Sequence, residues 1–118
     1  MSLYGEKVES HAKSPRNQGV LDKPDAAGEG VNPLCGDKLS MQLQLSSGRV
    51  SAVRFQAEAC MVSVAAASIL SELLPGMSVE EARAFPREKL LAALETELRP
   101  SRVGCAALSL QVLQAALK

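Results

Sequence analysis

Between Leu39 and Leu45 the apolar positions alternate strictly, Leu39, Met41, Leu43 and Leu45, with polar residues between them. That period of two predicts a half-buried strand. Ser46-Ser47-Gly48 supplies turn chemistry in which Gly48 takes a positive φ, giving a bulged hairpin loop. The returning strand runs from Val50 to Ala57, with Val53, Phe55 and Ala57 on one face and Arg54 and Gln56 on the other. Two strands alone would be marginal, so a third edge strand is expected near Gly28 to Asn32, inside an otherwise Gly- and Pro-rich loop from Asn17 to Pro33.

The pattern changes at Cys60. Met61 to Leu74 is apolar nearly all round, which predicts a buried helix ended by Pro75-Gly76. Ser78-x-x-Glu81 has the capping-box spacing and opens a short helix to about Ala84. A further helix is expected over Arg87–Leu98, with Leu90, Leu91, Leu94 and Leu98 as its buried stripe. Pro100 breaks it, and Ser101 caps a last helix over Arg102–Leu117. At the other end, residues 2–13 read as a polar helix stopped before Ser14-Pro15. The expected fold is α+β: a three-stranded antiparallel sheet packed on a cluster of helices, with a leading N-terminal helix. Residues 1–118 form one domain, of which 1–20 are that helix and a mobile lead-in.

Composition narrows the function. Thirteen Lys+Arg balance thirteen Asp+Glu, and aromatics are only 3%, so the basic patch and stacking platform that nucleic-acid binders use are missing. No apolar run approaches the roughly 20 residues that cross a bilayer. Residues 1–10 carry Glu6, Lys7 and Glu9 and no apolar signal core, which points to the cytoplasm. Three cysteines cannot all pair, and reduced thiols are the expectation there.

Each cysteine falls at the end of an element. Cys35 is in the loop Asn32-Pro33-Leu34-Cys35-Gly36-Asp37, Cys60 is where the second strand meets the buried helix, and Cys105 is in the first turn or so of the last helix. Helix N-termini favour a thiolate at the latter two. With Asp37 beside Cys35, three thiolates and a carboxylate make a ligand set for tetrahedral zinc or for an iron–sulfur cluster. No C-x-x-C pair is present, and cysteines that simply pack in the core are the competing reading. The single histidine, His11, is read as packing the N-terminal helix, and Arg16 and Asn17 as docking the following loop on the sheet.

His11-x-x-x-Pro15-Arg16-Asn17-x-Gly19, then Asn32-Pro33-x-Cys35-Gly36-Asp37, then a Cys at the strand-to-helix junction and a late Cys in the final helix together resemble the U-type iron–sulfur assembly scaffolds, NifU, IscU and SufU. The resemblance runs in order over nearly the whole chain. It implies a site of Cys35, Asp37, Cys60 and Cys105, a cysteine desulfurase as sulfur donor, and acceptor apo-proteins as recipients. Some positions depart from the family's patterns. Gly104 stands where the IscU branch has a His, and Ala59 where a Gly is usual. Leu98-Arg99-Pro100-Ser101-Arg102 stands where that branch has the motif read by a specialised Hsp70-type chaperone, so that partner is not implied. Arg102-x-x-Cys105 resembles the SufU branch, without that branch's insertion between the second and third Cys.

Two functions follow from the resemblance. In one, the chain is a scaffold: sulfur arrives on Cys105 or Cys35, and a [2Fe–2S] cluster is built on the four ligands and handed on. In the other, Zn2+ sits on the same four residues in a zinc-dependent sulfurtransferase, and ligand exchange frees a thiolate to take persulfide sulfur. Arg102 would stabilise the anionic sulfur in either case. A zinc domain used only for protein contacts is the structural alternative, and it would unfold when the metal is stripped.

Overall fold

A computed structural model describes residues 4–33 and 36–117. The order of elements is α1 (Glu6–Lys13), β1 (Ala26–Asn32), β2 (Asp37–Ser46), β3 (Arg49–Glu58), α2 (Met61–Leu73), α3 (Val79–Arg83), α4 (Arg87–Ala93) and α5 (Pro100–Ala116). The strands form one antiparallel sheet in the order β1-β2-β3. Its inner face packs on α5, which lies against β1 and β2, and on α2, which lies against β3. α1 packs on the far side of α2.

The alternation in β2 buries Leu39, Met41 and Leu43. In β3 the buried residues are Val50, Val53 and Phe55, a spacing that simple alternation cannot bury on one face. A register shift beside Leu45 resolves this. Leu45 pairs with Val50 while Gln44 pairs with Ala52, so Ser51 is the extra residue of a β-bulge. The bulge therefore lies in the strand pair rather than in the loop, where Ser47 and Gly48 both have positive φ as in a type I′ turn. Phe55 is the largest side chain buried here, and removing it from water contributes about 2–3 kcal/mol.

The helical half differs from expectation at two joints. α4 ends at Ala93 rather than Leu98, because Glu95 has a positive φ of 56° and breaks the ladder early. α5 starts at Pro100, with Arg99 as N-cap, so Ser101 lies inside the helix. Proline here begins the helix, since its missing N–H is one the first turn leaves unpaired anyway. Ser78 and Glu81 make both bonds of a capping box. Of the expected N-terminal helix, residues 2 and 3 lie outside the described residues, and Tyr4 and Gly5 precede Glu6–Lys13.

His11 packs α1 onto α2. Its Nδ1 is 2.6 Å from Ser68 Oγ, which also accepts the Arg16 backbone N–H at 2.8 Å. Asn17 then ties the chain to both layers. Its side-chain amide donates to Ser71 Oγ at 3.0 Å, and its backbone carbonyl accepts the Phe55 N–H at 3.1 Å on the outer edge of β3.

Candidate metal and sulfur site

Three element ends meet at one end of the sheet. Asp37 is the first residue of β2, and its neighbour Lys38 pairs with Glu58 at the end of β3. The chain leaves β3 and turns directly into α2 through Cys60, the extended N-cap with φ −66° and ψ 164°. α5 crosses β1 so that Cys105, in its second turn, comes near Asn32 at the end of β1. Ligand atoms of Asp37, Cys60 and Cys105 all lie within 4.8 Å of one another, the one such group among the described residues. Cys35, the fourth residue of the expected set, lies outside the described residues.

Asp37 is 2% exposed and Cys105 is fully buried, while Cys60 is partly open to solvent. A buried carboxylate must be compensated by donors. Asp37 Oδ1 accepts the Cys60 backbone N–H at 2.9 Å, and Oδ2 accepts the Ser63 hydroxyl at 2.7 Å. The Cys60 thiol lies 3.5 Å from Oδ2. Burial pushes the Asp37 carboxyl up, but bonds from Ser63, from the Cys60 N–H and from the Cys60 and Cys105 thiols outweigh it, leaving the group below the ordinary carboxylate value.

Cys60 departs from the sequence expectation of a helix-stabilised thiolate. Burial pushes its thiol up, Cys105 adds to that, and the bonds with Ser63 do not compensate. Burial therefore opposes ionisation of Cys60. Arg102 faces the pair: contact with the Cys105 thiol, and the negative charge Tyr4, Cys60 and Cys105 can carry, hold its proton more firmly. It is the cation stationed beside these sulfurs. Asn32 Nδ2 lies 4.0 Å from Cys105 Sγ.

Sequence reasoning passed over Ser63. It is buried and lies one turn beyond Cys60, so the Cys60-x-x-Ser63 spacing sets both side chains on one face of α2 above Asp37. That spacing after an N-cap cysteine was the available signal. A groove of about 880 Å³ lies elsewhere, on the outer sheet face between Gln18, Glu29, Lys38 and Glu58. Neither Asp37 nor Cys60 nor Cys105 lines it.

Two thiols and a carboxylate in this arrangement are soft and hard donors mixed, a set that suits Zn2+ or iron. The chain is similar to known proteins along nearly its whole length. The family described as "NifU-like N terminal domain" matches residues 3–118. The iron-sulfur cluster assembly scaffold protein IscU of Haemophilus influenzae is 36% identical over 118 residues, covering 97% of this chain and 92% of the relative. The protein of that name from Escherichia coli K12 is 33% identical over 118 residues, covering 97% and 91%. A crystal structure of a candidate scaffold protein for the SUF system of Fervidobacterium islandicum superposes with a TM-score of 0.80, covering 98% of this chain and 96% of that one. At 21% identity that last likeness concerns the fold. No described helix is long and apolar enough to cross a membrane.

Proposed function

Because the chain belongs to the family of NifU-like N-terminal domains, we propose that it is an iron–sulfur cluster assembly scaffold. In this reading it takes sulfur from a cysteine desulfurase, builds a [2Fe–2S] cluster on Cys35, Asp37, Cys60 and Cys105, and passes it to acceptor apo-proteins. The observation that carries the reading is the convergence of Asp37, Cys60 and Cys105 within 4.8 Å. Thiolates hold iron–sulfur clusters, and a carboxylate is a harder, poorer partner, which suits a site that must let its cargo go. The chain then acts as a carrier rather than as a catalyst, working in the cytoplasm where thiols stay reduced.

Sulfur would arrive as a persulfide on Cys105 or Cys35, with Arg102 offsetting the anionic charge. Each sulfane sulfur needs two electrons to become sulfide and release its carrier thiolate. Two ferrous ions going to ferric supply two of the four electrons a [2Fe–2S] unit requires, and a one-electron protein donor supplies the others. The test is anaerobic reconstitution with ferrous iron, a cysteine desulfurase and that reductant, followed by transfer to an apo-ferredoxin read by visible circular dichroism. Rapid transfer, lost in Cys35→Ser, Cys60→Ser and Cys105→Ser, is the expected result.

A second reading, a zinc-dependent sulfurtransferase, is favoured by Gly104, which stands where the IscU branch has a His, and by the SufU-like Arg102-x-x-Cys105 spacing. The donor set fits Zn2+, with the same four residues holding it, and the ion would supply deprotonation of the thiols. No cluster transfer, together with zinc-loaded chain accelerating desulfurase turnover, would decide for this reading.

A further inference from the structure

Ser63 touches three parts of the candidate site at once. Its Oγ is 2.7 Å from Asp37 Oδ2, 3.0 Å from the Cys105 carbonyl oxygen and 3.7 Å from Cys60 Sγ. A serine has one hydroxyl proton. Of the two oxygens in reach, the carboxylate is nearer and, being charged, accepts the stronger bond. The proton therefore goes to Asp37.

That bond matters because of where the other one falls. The Cys60 N–H holds Oδ1 at 2.9 Å. The Cys60 and Cys105 thiols also bond this carboxylate, but those protons leave when the sulfurs take a metal, and the Oδ1 bond alone would then let the carboxylate turn about its Cβ–Cγ axis. A second donor on Oδ2 fixes its plane. With both in place, Oδ2 is held 3.5 Å from Cys60 Sγ, on the side where the sulfurs converge.

We propose that Ser63 is a positioning residue for Asp37, holding the carboxylate in the one orientation from which Oδ2 can share a metal ion with Cys60 and Cys105. The inference rests on the reading of these residues as metal ligands. Partners that orient a ligand typically change metal affinity by about 10- to 100-fold when removed.

The test uses Co2+ as probe, added anaerobically to the full chain, with affinity taken from the thiolate-to-cobalt charge-transfer band under chelator competition. Ser63→Ala is expected to bind Co2+ about 10- to 100-fold more weakly than wild type. The same substitution made in an Asp37→Ala background is expected to change nothing further, because Ser63 acts through Asp37. Affinity unchanged in Ser63→Ala would overturn the proposal. So would an equal loss in both backgrounds, or a Ser63→Ala chain that no longer folds without metal by far-ultraviolet circular dichroism, since Ser63 then serves the fold. A wild-type chain whose Co2+ binding is absent, or indifferent to Asp37→Ala, would remove the ligand reading itself and this inference with it.

Discussion

Gly28 of β1 lies directly under the backbone of α5 at Val112. A Cβ at position 28 would stand 2.6 Å from the Val112 carbonyl oxygen and 2.7 Å from the Ala116 nitrogen. Both are main-chain atoms of the last turns of α5 rather than the far end of a flexible side chain, so neither gives way cheaply. The strand and helix that carry Asn32 and Cys105 to the site are thus in contact at main-chain distance. Gly28→Ala must push them apart, and a loss of stability at the upper end of the overpacking range, about 2–3 kcal/mol, is expected in denaturant melts. A change under about 0.5 kcal/mol would mean that β1 and α5 are not packed this closely.

Gly104 provides the opposite sign for the same substitution. It is an exposed residue inside α5, and a Cβ there meets only Asn32 Nδ2, at an ordinary 3.7 Å. Gly104→Ala should therefore stabilise the chain by roughly 0.5–1 kcal/mol through the helix preference alone. A melt that moves downward instead would reveal a clash at the end of β1.

His11 predicts a pH dependence. Burial is the main cause that lowers its pKa; Arg16 and Lys7 add to the shift, and Glu72 opposes it. The folded chain thus disfavours the charged imidazole, whose Nδ1 lies 2.6 Å from Ser68 Oγ, while the unfolded chain takes up a proton first as pH falls through about 6.5. The stability tied to His11 is fully present above that pH and is lost as pH falls from there toward the folded value. The lowered Asp37 and Glu81 carboxyls act only below about their ordinary values of 3.8 and 4.5. Urea melts between pH 5 and 7 should slope upward with pH in the wild type and flatten in His11→Gln; equal slopes would assign the dependence to other groups.

The sheet and the buried α2 were legible because their signals are local. Alternation in β2 and the unbroken apolar run after Met61 each fix an element without help from the rest of the chain. β1 was harder, since Ala26–Asn32 contains two glycines and a single exposed valine; it is a strand through its pairing with β2, and α5 leaves room only for glycine at position 28. The ligand set at Asp37, Cys60 and Cys105 was visible through residue type and a resemblance in motif order. Ser63 was not, because a serine between two valines in a helix gains a role only when β2 delivers a carboxylate to it from 26 positions away. The thiolate expected at Cys60 failed for a similar reason: helix position is read from sequence, but the burial that outweighs it is tertiary.

That raised thiol has a measurable consequence. Cys60 is partly exposed, so a small alkylating reagent can reach it, and only the thiolate reacts. In metal-free protein, the pH profile of Cys60 labelling, followed site by site by mass spectrometry, should have its midpoint above the ordinary 9.0 of a cysteine. Arg102 lies near this sulfur, and its charge favours the thiolate, so Arg102→Ala should move the midpoint higher still. A midpoint below 9.0 would mean that the α2 N-terminus outweighs burial after all. If the profile is as expected, metal uptake must expel the Cys60 proton, and affinity must fall as pH falls. The same protein titrated with Co2+ at pH 6.5 and 8 should then bind more tightly at the higher pH, with protons released into a weakly buffered solution as the ion enters.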